Sequence, residues 1–141
     1  MAASEVFSYE TLIREHHLDS FGHVNNATYL ELLEEARWEL ITRRGFGLRE
    51  IQQKGVGPVI LEIQMRFKKE LHLRDSIRIT TVLEKYTGKI AELVHAIYRP
   101  GKSGEELCFT ATLMVGLFDL RKRSLILPTP EWKHAIGLTE S

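Results

Sequence analysis

The chain has 141 residues, 43% of them hydrophobic and 27% charged, with 19 Lys plus Arg set against 19 Asp plus Glu. That length suits one domain with one core, and the zero formal charge excludes the overall basic excess expected of a nucleic-acid backbone binder or a polybasic membrane-surface protein. A single cysteine, Cys108, excludes an intrachain disulfide, and no apolar run is long enough to span a bilayer.

Residues 6–15 alternate, with Phe7, Tyr9 and Ile13 on one face and Ser8, Glu10 and Arg14 on the other, which predicts a half-buried strand. A polar segment containing Gly22 follows. The period then changes. Ala27, Leu30, Leu33, Leu40 and Ile41, flanked by Tyr29, Leu32 and Ala36, form a broad apolar stripe at helical spacing. Asn25 reads as its N-cap and Gly45 as its stop, so one long helix is predicted over 26–44. A short helical turn is expected at 48–53.

Alternation returns after Gly57-Pro58. Leu61, Ile63, Met65 and Phe67 oppose Glu62, Gln64, Arg66 and Lys68, the cleanest strand signal in the chain. Further strands are predicted at about 76–85, 89–99 and 106–118, joined by short links that carry Gly or charge. Repeats, low-complexity tracts and interdomain linkers are absent, so residues 1–141 read as a single α+β domain. The expected architecture is an antiparallel sheet, its last four strands a meander, wrapped around the one long helix so that both apolar faces are buried. Such a sheet keeps an open edge, and pairing edges across a two-fold axis is one way to satisfy it.

The stretch with chemical content is Asp19-Ser-Phe-Gly22-His23-Val24-Asn25-Asn26-Ala27-Thr-Tyr29, continuing to Glu34-Glu35-Ala36-Arg37. Asp19 lies between a strand and a helix start. An ordinary carboxylate is ionised at neutral pH and can attack a carbonyl or take a proton from an attacking water. Either route develops charge on the carbonyl oxygen, and a helix start offers free N–H groups for it. With Asn25 as cap, its side chain occupies the N–H of Ala27 or Thr28, leaving that of Asn26 free. Gly22 permits close backbone approach or a positive φ.

This pattern resembles the hotdog-fold thioesterases, in particular the branch containing 4-hydroxybenzoyl-CoA thioesterase and its short acyl-CoA thioesterase relatives. The resemblance covers Asp, two residues, Gly-His-Val-Asn-Asn, two residues, Tyr, and then Glu-Ala-Arg, together with strand order and length. It implies a hotdog fold and hydrolysis of acyl-CoA to free acid and coenzyme A. It further implies Asp19 as nucleophile or general base and the backbone N–H of Asn26 as the oxyanion donor. His23 is a candidate for orienting Asp19, the water or the carbonyl. Gly22, Val24 and Asn25 are the neighbouring substrate-binding candidates.

The plant acyl-carrier-protein thioesterases share the His-Val-Asn-Asn stretch and add a later Glu, which matches Glu70 here. Their motif has Asn two residues after the Asp, where this chain has Phe21, so their full catalytic set does not carry over. The resemblance implies no cofactor and no metal, and a homodimer, with a tetramer of such dimers left open. Acyl-carrier-protein thioesters and non-catalytic acyl-thioester binding stand as alternatives. The N-terminal sequence lacks a basic segment leading into an apolar run; with the lone cysteine this predicts a cytoplasmic protein that binds neither nucleic acid nor membrane.

Other residues carry structural readings. Glu34 and Arg37 form an i,i+3 pair; Tyr29 and Cys108 read as core. His16 and His17 on extended backbone would point to opposite faces, so with Asp19 and His23 they make a poor tetrahedral set. No Gly-X-Ser-X-Gly elbow, P-loop or dinucleotide fingerprint is present. Among the basic residues available to coenzyme A phosphates, Lys68 and Lys69 stand out because they close a strand.

Overall fold

The computed structural model describes residues 5–138. Strand β1 (Val6–Leu12) leads through a 3-10 turn (Glu15–His17) to the long helix α1 (Asn26–Arg43) and the short helix α2 (Leu48–Lys54). Strands β2 (Val56–Phe67), β3 (Ser76–Thr87), β4 (Ile90–Gly101) and β5 (Gly104–Asp119) follow. A short β6 (Ser124–Ile126) and a last helix α3 (Pro130–Ala135) complete the chain. No helix among the described residues is long and apolar enough to cross a membrane.

Both ends of α1 are set by the residues the sequence marks. The Asn25 side chain accepts from Ala27 N–H. At the other end Gly45 takes φ +83, which lets its N–H reach Thr42 O and the N–H of Phe46 reach Ile41 O. This left-handed cap adds donors to the carbonyls of the last turn and leads the chain into Phe46, which is buried in the core. Leu32, Leu33, Ala36, Leu40 and Ile41 of α1 pack with Ile79, Leu93, Leu113 and Val115 of the sheet in one cluster. The antiparallel sheet thus curls around the helix's apolar side, as the two hydrophobic periods require.

The strand order is β1-β3-β4-β5-β2, with β6 beside β5. This corrects the expected four-strand meander. Only β3, β4 and β5 meander, while β2 pairs with β5 at the far edge. The link 68–75 explains it. It is too long for a tight hairpin, and at up to about 3.3 Å per residue it easily crosses the three strand spacings of about 4.8 Å. The outer edge of β2 has no partner strand among the described residues, and the strand carries exposed Ile60, Leu61 and Phe67. Leu61 sits at a bulge in the β2–β5 register.

The third helix was not anticipated, although Thr129 caps it and Pro130 opens it, a recognisable start signal. Its Trp132 is 2% exposed, stacks near Phe46 at 5.2 Å between ring centroids and donates to the Tyr86 hydroxyl. It closes one end of the core.

Candidate active site

The Asp19 loop is a tight turn clamped at its base. Leu18 and Val24 form an isolated antiparallel bridge, Asp19 N–H donates to His23 O, and Gly22 N–H donates to Asp19 O. Gly22 has φ +81, and a Cβ there would touch nothing within 4 Å. Backbone conformation, rather than ligand space, therefore selects glycine at this position.

One carboxylate oxygen of Asp19, Oδ1, accepts from the N–H groups of Phe21 (2.9 Å) and His23 (3.0 Å). The second oxygen has no partner among the described residues. Hydrogen bonding from the backbone of His23, then of Phe21 and Gly22, holds this carboxyl below its usual range, so it is fully ionised at neutral pH. Asp19 therefore caps its own turn with one oxygen and offers the other to solvent.

Three residues beyond His23, α1 begins. The Asn25 side chain takes Ala27 N–H at 2.9 Å, and Asn25 O takes Thr28 N–H. Asn26 N–H has no acceptor among the described residues, so a free donor stands in the first turn of the helix. Val24 is half-buried, while His23, Asn25 and Asn26 are exposed.

The end of β2 lies at this same end of the molecule. The rings of Phe67 and Tyr29 meet edge to face at 5.0 Å, and Phe109 backs Tyr29 at 4.8 Å. Tyr29 is 6% exposed and serves the core. The N–H groups of Lys68 and Lys69 both donate to Cys108 O, which fixes the start of the link. Lys69 Nζ lies 3.6 Å from Glu106, whereas Lys68 makes no ion pair among the described residues. Glu70 accepts at its carbonyl from Arg99, and its carboxylate lies 3.7 Å from His72 Nε2. No hydrogen bond or ion pair among the described residues joins Glu70 to Asp19.

Two readings of the histidine and arginine residues need correction. His16 and His17 are not on extended backbone; they share the 3-10 turn, with ring centroids 4.1 Å apart. His17 is buried, and its Nδ1 accepts Arg14 N–H at 2.8 Å. Among the described residues no three His, Cys, Asp or Glu side chains gather as metal ligands.

Arg37 is not ion-paired to Glu34 within salt-bridge distance. It turns inward from α1, and its Nη1 lies 3.1 Å from Nε2 of His95, which is fully buried on β4. Arginine only donates, so His95 Nε2 must accept and Nδ1 must carry the proton. That proton serves Thr80 O at 3.2 Å and Thr81 Oγ1 at 3.1 Å. Burial, then the Arg37 charge, pushes the His95 pKa down to about 3. The sequence did carry a signal for His95, because it shares the buried phase of β4 with Ala91, Leu93 and Ile97. Cys108 is buried, with burial pushing its thiol up, which suits a core side chain rather than a nucleophile.

A cavity of about 100 Å³ lies along the second half of α1, and Asp19 is not among the residues that line it. Leu40, Ile41, Leu93, Val115 and Trp132 form its walls, and Arg37, Glu34, Pro58 and Ile60 lie toward the β2 side.

Comparison with known proteins agrees with this architecture. Residues 13–136 match the model of the thioesterase-like superfamily. The chain is 34% identical over 85 residues to the long-chain acyl-CoA thioesterase FadM of Escherichia coli (strain K12), covering 60% of this chain and 64% of that protein. The match thus takes in less than two thirds of that relative's length. The crystal structure of YbaW from Escherichia coli superposes with a TM-score of 0.78 at 26% identity, covering 93% of this chain and 98% of that one. SAV2348 from Staphylococcus aureus, solved in complex with CoA, gives 0.83 at 18% identity, covering 94% and 82%; at that identity the likeness speaks for the fold alone. The fold is the hotdog.

Proposed function

The chain belongs to the thioesterase-like superfamily, and from that premise we propose that it hydrolyses acyl-CoA thioesters to free acid and coenzyme A. The observation that carries this reading is the junction of turn and helix. An ionised Asp19 with one unengaged oxygen stands four residues before His23 and seven before Asn26, whose N–H has no acceptor among the described residues. The thioester oxygen would point at Asn26 N–H while Asp19 Oδ2 attacks the carbonyl carbon or deprotonates the attacking water. The Gly-His-Val-Asn-Asn run supports a place beside the 4-hydroxybenzoyl-CoA thioesterase branch. Lys68, at the end of β2, is the proposed phosphate contact, because Lys69 is partly engaged by Glu106.

Release of free thiol from acyl-CoA substrates tests the activity directly. Hydrolysis gives that signal; hydration of the acyl chain or mere binding does not. The rate should be unchanged after exhaustive treatment with EDTA, since the proposed chemistry uses a carboxylate and a backbone amide. Loss of activity with rescue by one metal would replace this mechanism.

The working unit is proposed to be a dimer joined through β2. The exposed Ile60, Leu61 and Phe67 on the unpaired edge are costly to leave in water. Antiparallel pairing about a two-fold near Ile63 would set Phe67 of one protomer beside Val59 of the other. The partner's helix entry and Asp19 turn would then lie against Pro58 and Ile60, at the mouth of the cavity. Light scattering should give twice the monomer mass at micromolar concentration. A fully active monomer would overturn this assembly.

A further inference from the structure

Among the described residues Arg37 is the one cation lining the cavity, and the proposed hydrolysis leaves its chemistry unused. Its guanidinium reaches far enough into the core to touch a fully buried histidine. Burial lowers its pKa, with Glu34 opposing that effect through space. No carboxylate lies within ion-pair distance of it among the described residues, and His95 accepts as a neutral ring. A guanidinium carries five donors in a planar fork that matches a carboxylate. A desolvated cation without an anion is costly, and this one borders a cavity otherwise walled mainly by hydrocarbon.

We propose that the cavity is the acyl pocket and that Arg37 selects acyl groups ending in a carboxylate, the mono-thioesters of short dicarboxylic acids. The inference rests on the reading of the protein as an acyl-thioester hydrolase and on the β2-edge dimer that brings the partner's Asp19 turn to the mouth of the cavity. The volume sets the size class: about 100 Å³, below the roughly 150 Å³ of a cavity that takes up benzene, limits the guest to a short chain of a few methylenes. Leu93, Val115 and Trp132 would pack the methylenes, and the terminal carboxylate would meet Arg37. His95 is then a positioning residue, since its acceptor Nε2 fixes one corner of the guanidinium and leaves the remaining donors for the ligand. Glu34 is exposed at the rim and disfavours an anion that stops short of Arg37.

The test compares adipoyl-CoA with hexanoyl-CoA, which have the same carbon count and differ at the far end. The wild-type protein should favour adipoyl-CoA in kcat/KM by about 10- to 100-fold, the range of a charge-assisted hydrogen bond. Arg37→Met should abolish that preference by slowing adipoyl-CoA alone, and Arg37→Lys should retain part of it. Wild-type rates that are equal, or that favour hexanoyl-CoA, would overturn the proposal while leaving the thioesterase reading intact. Calorimetric binding of free adipate decides the pocket even if no thioester is hydrolysed: wild type should bind it and folded Arg37→Met should not. An Arg37→Met protein that becomes monomeric, or loses both substrates equally, assigns Arg37 to assembly or folding and also overturns the proposal.

Discussion

Asp19→Asn should reduce kcat by at least roughly 10²-fold, the lower range for a positioned general base, with little change in fold or in acyl-CoA binding. The structure explains why this substitution separates the two roles of the residue. Oδ1 accepts the N–H groups of Phe21 and His23, and an asparagine oxygen can accept both equally well. The turn, with its Leu18–Val24 bridge and Gly22 at positive φ, therefore survives. What disappears is the second oxygen, replaced by an amide nitrogen that is neither base nor nucleophile. Asp19→Ala would confound the measurement, because it deletes the cap and the reactive group together. His23→Ala should be milder, since His23 holds the turn through its backbone rather than its ring. Wild-type rate constants in Asp19→Asn, on a substrate the parent clearly hydrolyses, would remove Asp19 from the mechanism. The hotdog fold would stand regardless.

Local signals were readable where one residue decides a local conformation. Asn25 and Gly45 bound α1 because cap chemistry acts within a turn of the helix. The alternation in β3 to β5 survives in the structure because period 2 follows from backbone geometry alone, whereas in β2 a bulge at Leu61 breaks the register and Leu61 and Phe67 stay exposed. Sequence reasoning failed where distant segments decide. The place of β2 next to β5 is set by where the 68–75 link leads, and no local pattern records it. Arg37 illustrates the same limit at the level of one side chain. Spacing offers Glu34 as its partner, yet a buried acceptor on β4 provides a less hydrated and geometrically fixed contact. For the site, Asp19, Asn25 and Asn26 fall together because they are contiguous in sequence. The relation of that turn to Lys68 emerges only through the Phe67–Tyr29 contact.

Acid should destabilise this protein well above the pH at which carboxylates protonate, and His95 should be the main cause. Its pKa of about 3 in the fold stands against the ordinary 6.5 of an unfolded histidine. Between those values the unfolded chain carries a proton that the native chain refuses. Stability is therefore complete above about pH 6.5 and is lost progressively as pH falls toward about 3. At 1.36 kcal/mol per unit, the loss is on the order of 3 kcal/mol by about pH 4.5, a large share of a typical total of about 5–15 kcal/mol. The neighbours of His95 offer no relief. Arg37 on α1 is a fixed cation, while Thr80 and Thr81 on β3 and Ala111 on β5 bring no negative charge. The lowered carboxyls of Asp19, Glu105 and Asp119 act only below their ordinary range near pH 4. His17, lowered mainly by burial, adds a smaller slope of the same sign. His95→Gln keeps an acceptor for Arg37 but cannot take up a proton. Urea unfolding at about pH 6.5 and about pH 4.5 should show a large loss for wild type and a small one for this variant. Equal losses in the two proteins would assign the acid sensitivity elsewhere. Because Asp19 stays ionised throughout that window, activity per folded molecule should remain flat while the folded fraction falls.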